Sequence, residues 1–353
     1  MTEPTTSERA VAARIALAGG ILTVSLGLAL RGFGGTIPLA YQYVPLVVSA
    51  IVLGVPHGAV DHLVLPRARD VPVTRRSLAF VGGVYLLIGG SYAAIWVLAP
   101  AVAFVLFIVV TLLHWGQGDV YALVELTGAS HLSTRWIRAS TALVRGGLPM
   151  LVPLVAFPEQ YRFVAATVIG SFDPGAVGAL DTVFTPEVRL VVGLGFGLVI
   201  AATLGIGYRR AVRTNAVRPW LTDAGETLSL IAYFGLVPPI LAIGLYFPLW
   251  HSLRHILRTM LLDDVAAAAL STRSTGTAFL RFTREAAPLT AVALVILGAV
   301  WVAVPETPTT VSDAAGVYLA FIAVLTLPHV VVVSLLDREL DLWSPQRLSR
   351  SGT

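Results

Sequence analysis

Cysteine is absent from the 353 residues, and so is lysine: all 24 basic side chains are arginine. Without a thiol the chain can hold no disulfide, iron–sulfur cluster, thiolate-ligated metal or nucleophilic cysteine. Without lysine it can form no Schiff base to an aldehyde cofactor, which excludes opsin-type photoreceptors and pyridoxal phosphate enzymes. Charge is also scarce, at 12% of residues, against about 25% in an ordinary soluble protein. What fills the space is apolar: 56% of the chain is hydrophobic and the mean hydropathy is +0.81. The composition therefore predicts an all-α, polytopic membrane helix bundle, and length is no guide to a count of soluble domains. The formal charge of +4 does not point to nucleic acid, because basic residues in such a protein mark cytoplasmic loops.

Apolar runs long enough to span, about 20 residues each, fall at 12–30, 38–60, 76–98, 100–118, 136–157, 189–208, 286–304 and 314–336. The first is too long for a signal-peptide core and has no small-residue cleavage site before Arg31, so it reads as a retained helix. The stretch 224–260 is ambiguous. As one span it gives nine helices and puts the loop with Arg209, Arg210, Arg213 and Arg218 opposite the loop with Arg273, Arg281 and Arg284. A tight turn at Pro238-Pro239, between helices at 224–237 and 239–260, gives ten and puts both loops on one side. With the N-terminus cytoplasmic, ten spans leave 19 arginines inside, three outside (Arg31, Arg162, Arg189) and two within spans (Arg145, Arg254). That asymmetry is the signature of correct parity. The expected organisation is one integral membrane domain over 1–353 with polar tails at 1–11 and 338–353. The outer loop 158–188, with Phe157, Tyr161, Phe163, Phe172 and Phe184, is expected to lie against the membrane surface.

Six of the seven histidines, His57, His62, His114, His251, His255 and His329, fall in or at the end of these spans. Ionisable groups at such depth are costly and usually functional. Any one of them could simply be bonded to a carbonyl of a neighbouring helix. Taken together, however, all six come late in helices that run from outside to inside, so they share the cytoplasmic half of the membrane. Independent packing histidines have no reason to share one depth, and the pattern points to a common metal or cofactor site. His251 and His255 stand four apart, about 40° around a helix, and can share one metal. Asp61 has the same spacing from His57 and could orient its imidazole, whereas His62 points about 140° away from His57. His114 closes its span and is followed by small residues and Asp119. His329 follows Pro328, where a freed carbonyl offers the ring a local bond. His131, in a polar loop, reads as solvated. Several imidazoles without a thiolate suit Fe, Zn, Cu or Ni, and the apolar surroundings suit O₂ and a lipophilic substrate.

The segments PHGAVDH (56–62), HWGQGD (114–119), WHSLRH (250–255) and PHVVVV (328–333) resemble, in order and flanking residues, the motifs of the Brp/Blh family of membrane β-carotene 15,15′-dioxygenases. The resemblance covers about residues 40–336. It implies an iron(II) enzyme of the cell membrane that splits the central double bond of β-carotene with O₂ to give two retinal molecules, with possible hand-over of retinal to a rhodopsin. It also implies that His57, His114, His251 and His255 hold the iron, with Asp61, His62, Asp119 and His329 supporting them. Trp115 stands where another aromatic is usual in the family. Trp115, Tyr233, Phe234, Tyr246, Phe247 and Trp250 are candidates to line a substrate tunnel, although packing is the simpler role for any single one. A di-iron desaturase would need about eight histidines, more than the chain has. A non-enzymatic carotenoid carrier or rhodopsin-assembly factor, and a bis-histidine haem protein, stay open as alternatives.

Overall fold

The computed structural model describes residues 4–33, 37–272 and 274–343, and among these it is helical with no strand. Arg273 and the tail segments 1–3 and 344–353, with Arg347 and Arg350, lie outside the described residues. In chain order the helices are α1 (Thr6–Gly32), α2 (Leu39–Ser49), α3 (Asp61–Ala68), α4 (Arg75–Leu98), α5 (Pro100–Leu126), α6 (Arg135–Ala156), α7 (Pro158–Gly170), α8 (Pro186–Arg213), α9 (Val217–Leu236), α10 (239–260), α11 (Asp264–Ser271), α12 (Thr275–Ala303) and α13 (Val311–Glu339). Seven of them, α1, α4, α5, α6, α8, α12 and α13, are long and apolar enough to cross a membrane. The chain is a multi-pass membrane protein.

Local sequence explains most boundaries. Proline at the first helical position opens α5, α7, α8 and α10, where its fixed φ suits the helix and its missing N–H costs nothing. Reciprocal Thr and Ser or Asp side-chain bonds cap the starts of α4 and α13. The predicted break at Pro238-Pro239 is present: α9 ends at Leu236 and α10 begins at Pro239. Neither qualifies as a span by composition, since α9 carries Arg218, Asp223 and Glu226 and α10 is short-pieced, with a π turn at Phe247–Ser252.

One expected span is corrected. The run 38–60 is not a continuous helix: α2 stops at Ser49 and a separate 3₁₀ turn spans Val55–His57. Leu53 adopts a left-handed φ of 62°, a conformation L-residues avoid in helices. Gly54 then lies so close to the Ser49 carbonyl that a Cβ there would collide with it. Apolarity alone could not reveal this bend, because a buried irregular segment is as hydrophobic as a helix.

The core is closest-packed where α5 crosses α6. A Cβ on Gly116 would meet the Ala142 carbonyl, and one on Gly146 the Leu112 carbonyl, the small-residue contact typical of helix pairs in membranes. By contrast α8 and α12 turn Leu190, Leu194, Leu198, Val292, Val295 and Val302 outward, as lipid-facing helices should. The loop 158–188 folds into α7 and a 3₁₀ helix at Pro174–Thr182, burying Ala165, Val168, Ile169 and Leu180 against Trp96 and Ala320.

Candidate metal centre

Five histidines converge from four places in the chain. His57 sits on the 3₁₀ turn, His114 in mid-α5, His251 in the π turn of α10 with His255 one turn on, and His329 in mid-α13. All five are buried. Ring centroids lie 4.6 Å apart for His114 and His251, 4.8 Å for His114 and His329, and 5.0 Å from His329 to both His57 and His255. His57 lies 5.4 Å from both His251 and His255. The π turn matters here, since a single wide turn re-aims the side chains on either side of it.

The ring nitrogens divide into held and free. His57 donates Nδ1–H to the Gly54 carbonyl, and its Nδ1 lies 3.3 Å from Ser252 Oγ. His329 Nδ1 lies 2.9 and 2.8 Å from the two Asp61 oxygens, and the Tyr85 hydroxyl donates to the same carboxylate at 2.6 Å. A carbonyl and a carboxylate only accept, so both rings carry the proton on Nδ1 and keep a lone pair on Nε2. His114 Nε2 faces His251 Nε2 at 3.0 Å. His255 Nε2 and His329 Nε2 are buried with no hydrogen-bond partner among the described residues. Donor atoms of His57, His114 and His329 all lie within 4.8 Å of one another, as do those of Asp61, His255 and His329. Buried nitrogens without partners are expensive. Their convergence in a chain without cysteine fits a borderline transition metal, and these residues could hold one.

Behind the histidines lies a network of buried charge. Arg145, fully buried in α6, reaches Glu226 at 2.7 Å and Asp223 at 3.2 Å in α9, while Arg254 bonds Asp119 at 3.0 Å and Glu226 at 2.7 Å. Asp119 also accepts from the Trp250 indole at 3.0 Å. The carboxylate therefore anchors α10 through Trp250 and Arg254, on either side of His251, without touching an imidazole. Only two of these residues, Arg145 and Arg254, stood out in the sequence as charges within spans. Glu226 and Asp223 could be found only by asking what neutralises them.

Several expectations are met and several corrected. His57, His114, His251 and His255 come together, and His329 joins them. Asp61 turns to His329 and Tyr85 rather than to His57, because the break before α3 removes the helical register that the four-residue spacing assumed. Pro328 does not leave His329 with a local carbonyl, since Asp61 takes its Nδ1. His62 is half-buried and lines the adjoining cavity. His131 is not solvated: it is completely buried, with Nε2 3.2 Å from Asp223, because its loop folds back over α9. Of the candidate tunnel aromatics, Trp115 and Phe247 face the cavity, whereas Tyr233, Phe234, Tyr246 and Trp250 are packed in the core. Tyr85 and Ser252, both in the site, carried no signal in the sequence.

The cavity has a volume of about 690 Å³, within the usual range of small-molecule sites. His57, His114, His251 and His329 lie on its wall with other polar side chains such as Asp61 and Tyr85, and Phe104, Phe107, Ile108, Trp115 and Phe247 also line it. Its lining also includes Leu289, Val292 and Ile296 of α12, which are exposed on the outer surface. Fold and site together define a multi-pass membrane protein with a buried polyhistidine cluster, able to hold a metal, beside an apolar cavity that reaches the lipid-facing side.

A family profile described as "Beta-carotene 15,15'-dioxygenase" matches residues 48–337. Two proteins of Halobacterium salinarum are similar over nearly their whole length. "Probable beta-carotene 15,15'-dioxygenase Blh" is 46% identical over 338 residues, 96% of each chain. "Probable beta-carotene 15,15'-dioxygenase Brp" is 34% identical over 327 residues, 88% of each. No solved structure matches the chain. The chain belongs to the beta-carotene 15,15'-dioxygenase family, and it is an enzyme of that family.

Proposed function

We propose that the protein cleaves the central 15,15′ double bond of β-carotene with O₂ at a non-haem iron(II) site, giving two molecules of all-trans-retinal. One C=C bond is lost and two C=O bonds form, so both oxygen atoms of one O₂ enter the two aldehydes and no further reductant is needed. The observation that carries this reading is the cluster of buried imidazoles, two of them with partnerless Nε2 atoms, opening on an apolar cavity. His57, His114, His251 and His255 would hold the iron, which when bound supplies the redox chemistry that lets O₂ react with a polyene.

The chain's own residues position and exclude. A symmetrical polyene has many similar double bonds, so depth of insertion must select the middle one. Phe247 stacks 15° from coplanar with His251, and Trp115 lies 5.4 Å from the same ring, so an apolar wall meets the imidazoles where the reacting carbons must sit. Asp119, through Trp250 and Arg254, holds the α10 segment that carries His251 and His255. The exposed α12 residues on the lining give an apolar substrate and product a route through the bilayer, and retinal leaving that way is available to a rhodopsin in the same membrane.

The test is detergent-solubilised protein supplied with Fe(II) and β-carotene. Retinal should accumulate over many turnovers in air and not under argon. Stoichiometric carotenoid binding with no aldehyde, in iron-replete protein, would instead identify a carrier, and longer apocarotenals would refute central placement.

A further inference from the structure

We propose that His329 is a fifth imidazole donor to the metal, and that Asp61 and Tyr85 are the positioning residues that fix its ring. This rests on the metal reading above and extends it to His329, which the resemblance implies only as a support for the four histidines it assigns to the iron.

The geometry separates His329 from an ordinary packing histidine. His329 is bonded at Nδ1 to both oxygens of Asp61, while its Nε2 is buried with no partner among the described residues. His131 is also bonded at one nitrogen only, to Asp223, but His329 differs in standing among three other imidazoles. The centroids of three other imidazoles, His57, His114 and His255, stand 4.8 to 5.0 Å from the ring on three separate elements. His329 belongs to both groups of convergent ligand residues, with His57 and His114 and with Asp61 and His255.

The support is built for orientation. Asp61 opens α3, and Tyr85, from the π turn of α4, holds one of its oxygens at 2.6 Å. A carboxylate on Nδ1–H fixes the tautomer and raises the basicity of Nε2, the usual outer partner of a metal-bound histidine. Gly58 completes the seat, because a Cβ at that position would stand 3.4 Å from His329 Nδ1. Asp61, braced by Tyr85, thus holds the ring at Nδ1, and a ligand at Nε2 would satisfy the nitrogen left over.

The full-length protein in detergent, loaded with iron, provides the test through metal content and chelator competition, with X-ray absorption counting imidazole neighbours. His57→Ala serves as the control for the underlying reading. Wild type without iron, or His57→Ala with undiminished iron affinity, would sink that reading itself. If wild type binds iron and His57→Ala loses it, the fate of His329 is decided separately. His329→Ala should then weaken iron binding by more than about 100-fold, beyond the roughly 10- to 100-fold loss expected for Asp61→Asn, which acts through the ring. His329→Gly should show one imidazole fewer, restored by free imidazole, which a purely structural role would not produce. Should His329→Ala not be recovered from membranes, His329→Gln, of similar size, is measured in its place. Wild-type iron affinity and imidazole count in either variant would overturn the proposal. So would a second equivalent of metal that depends on Asp61, because the carboxylate would then be a ligand in its own right.

Discussion

Substituting Gly116 by alanine adds one methyl group where α5 crosses α6, two residues from His114. The Cβ would drive into the Ala142 carbonyl oxygen, and the reciprocal change at Gly146 would drive into the Leu112 carbonyl. Both obstacles are backbone atoms, so no rotamer change can relieve them, and the helices must part by roughly 1 Å to restore ordinary contact distances. Overpacking of this kind costs about 1–3 kcal/mol, at the upper end when the obstacle is rigid. Alanine's better helix propensity returns about 1 kcal/mol, so a net loss near 2 kcal/mol is expected, about thirtyfold in the folding equilibrium. Gly197, in the middle of α8, has nothing within 4 Å of the same added atom, and Gly197→Ala should be neutral or slightly stabilising. Activity should fall further than stability, because the crossing also sets His114 against His251, and a displacement of about 1 Å at a reacting centre can cost on the order of 10²-fold in rate. The assay is denaturant unfolding in detergent alongside retinal formation for Gly116→Ala, Gly146→Ala and Gly197→Ala. If Gly116→Ala matched Gly197→Ala in both, the close crossing would not be what holds His114 in place.

Glu226→Gln leaves Arg145 and Arg254 sharing a weakened partner inside the bundle; breaking a buried ion pair costs about 3–5 kcal/mol, and thermal unfolding in detergent should show a large drop where a surface change such as Glu187→Gln shows almost none. Asp263 caps α11 and binds Arg67 at 2.6 Å and Arg281 at 2.8 Å. Burial pushes its carboxyl up, but the Arg281 bond, the Ala266 N–H and the two arginine charges together hold it below the ordinary value of 3.8. The stability it gives is therefore complete above about pH 4 and fades as pH falls through the lowered folded-state value. Limited proteolysis at 261–275 should reveal that onset, and Asp263→Asn, which keeps the cap but not the charge, should abolish the pH dependence while opening the segment at neutral pH. Reporter fusions should place the loops around Arg75, Arg210 and Arg281 in the cytoplasm with both termini; a periplasmic signal at residue 270 would break the ten-span reading.

The sequence by itself determined what depends on composition and on neighbours along one helix. Apolar excess and sparse charge dictate a membrane bundle, because a polar exterior of the needed area cannot be made from these residues. Proline at first helical positions marked where helices begin. Histidines recurring in four apolar runs announced a shared cluster, since buried imidazole is too costly to recur by chance, although His114 and His329 stand in mid-helix and not late in their helices as expected. What tertiary structure alone decided involves partners far apart in the chain. The spacing of His57 and Asp61 assumed a helix that the turn at Leu53 and Gly54 interrupts, and the carboxylate's true partner stands 268 residues away on α13. His131 looked solvated because its neighbours are polar, and only the fold of its loop over α9 places it against Asp223. Trp115 and Tyr246 are alike in sequence signal, yet one faces the cavity and the other the core, because the crossing of α5 and α10 sets which side of each ring has room. Helical periodicity says which residues share a face; how the faces meet is settled by packing, and the cluster of five imidazoles exists only once they have met.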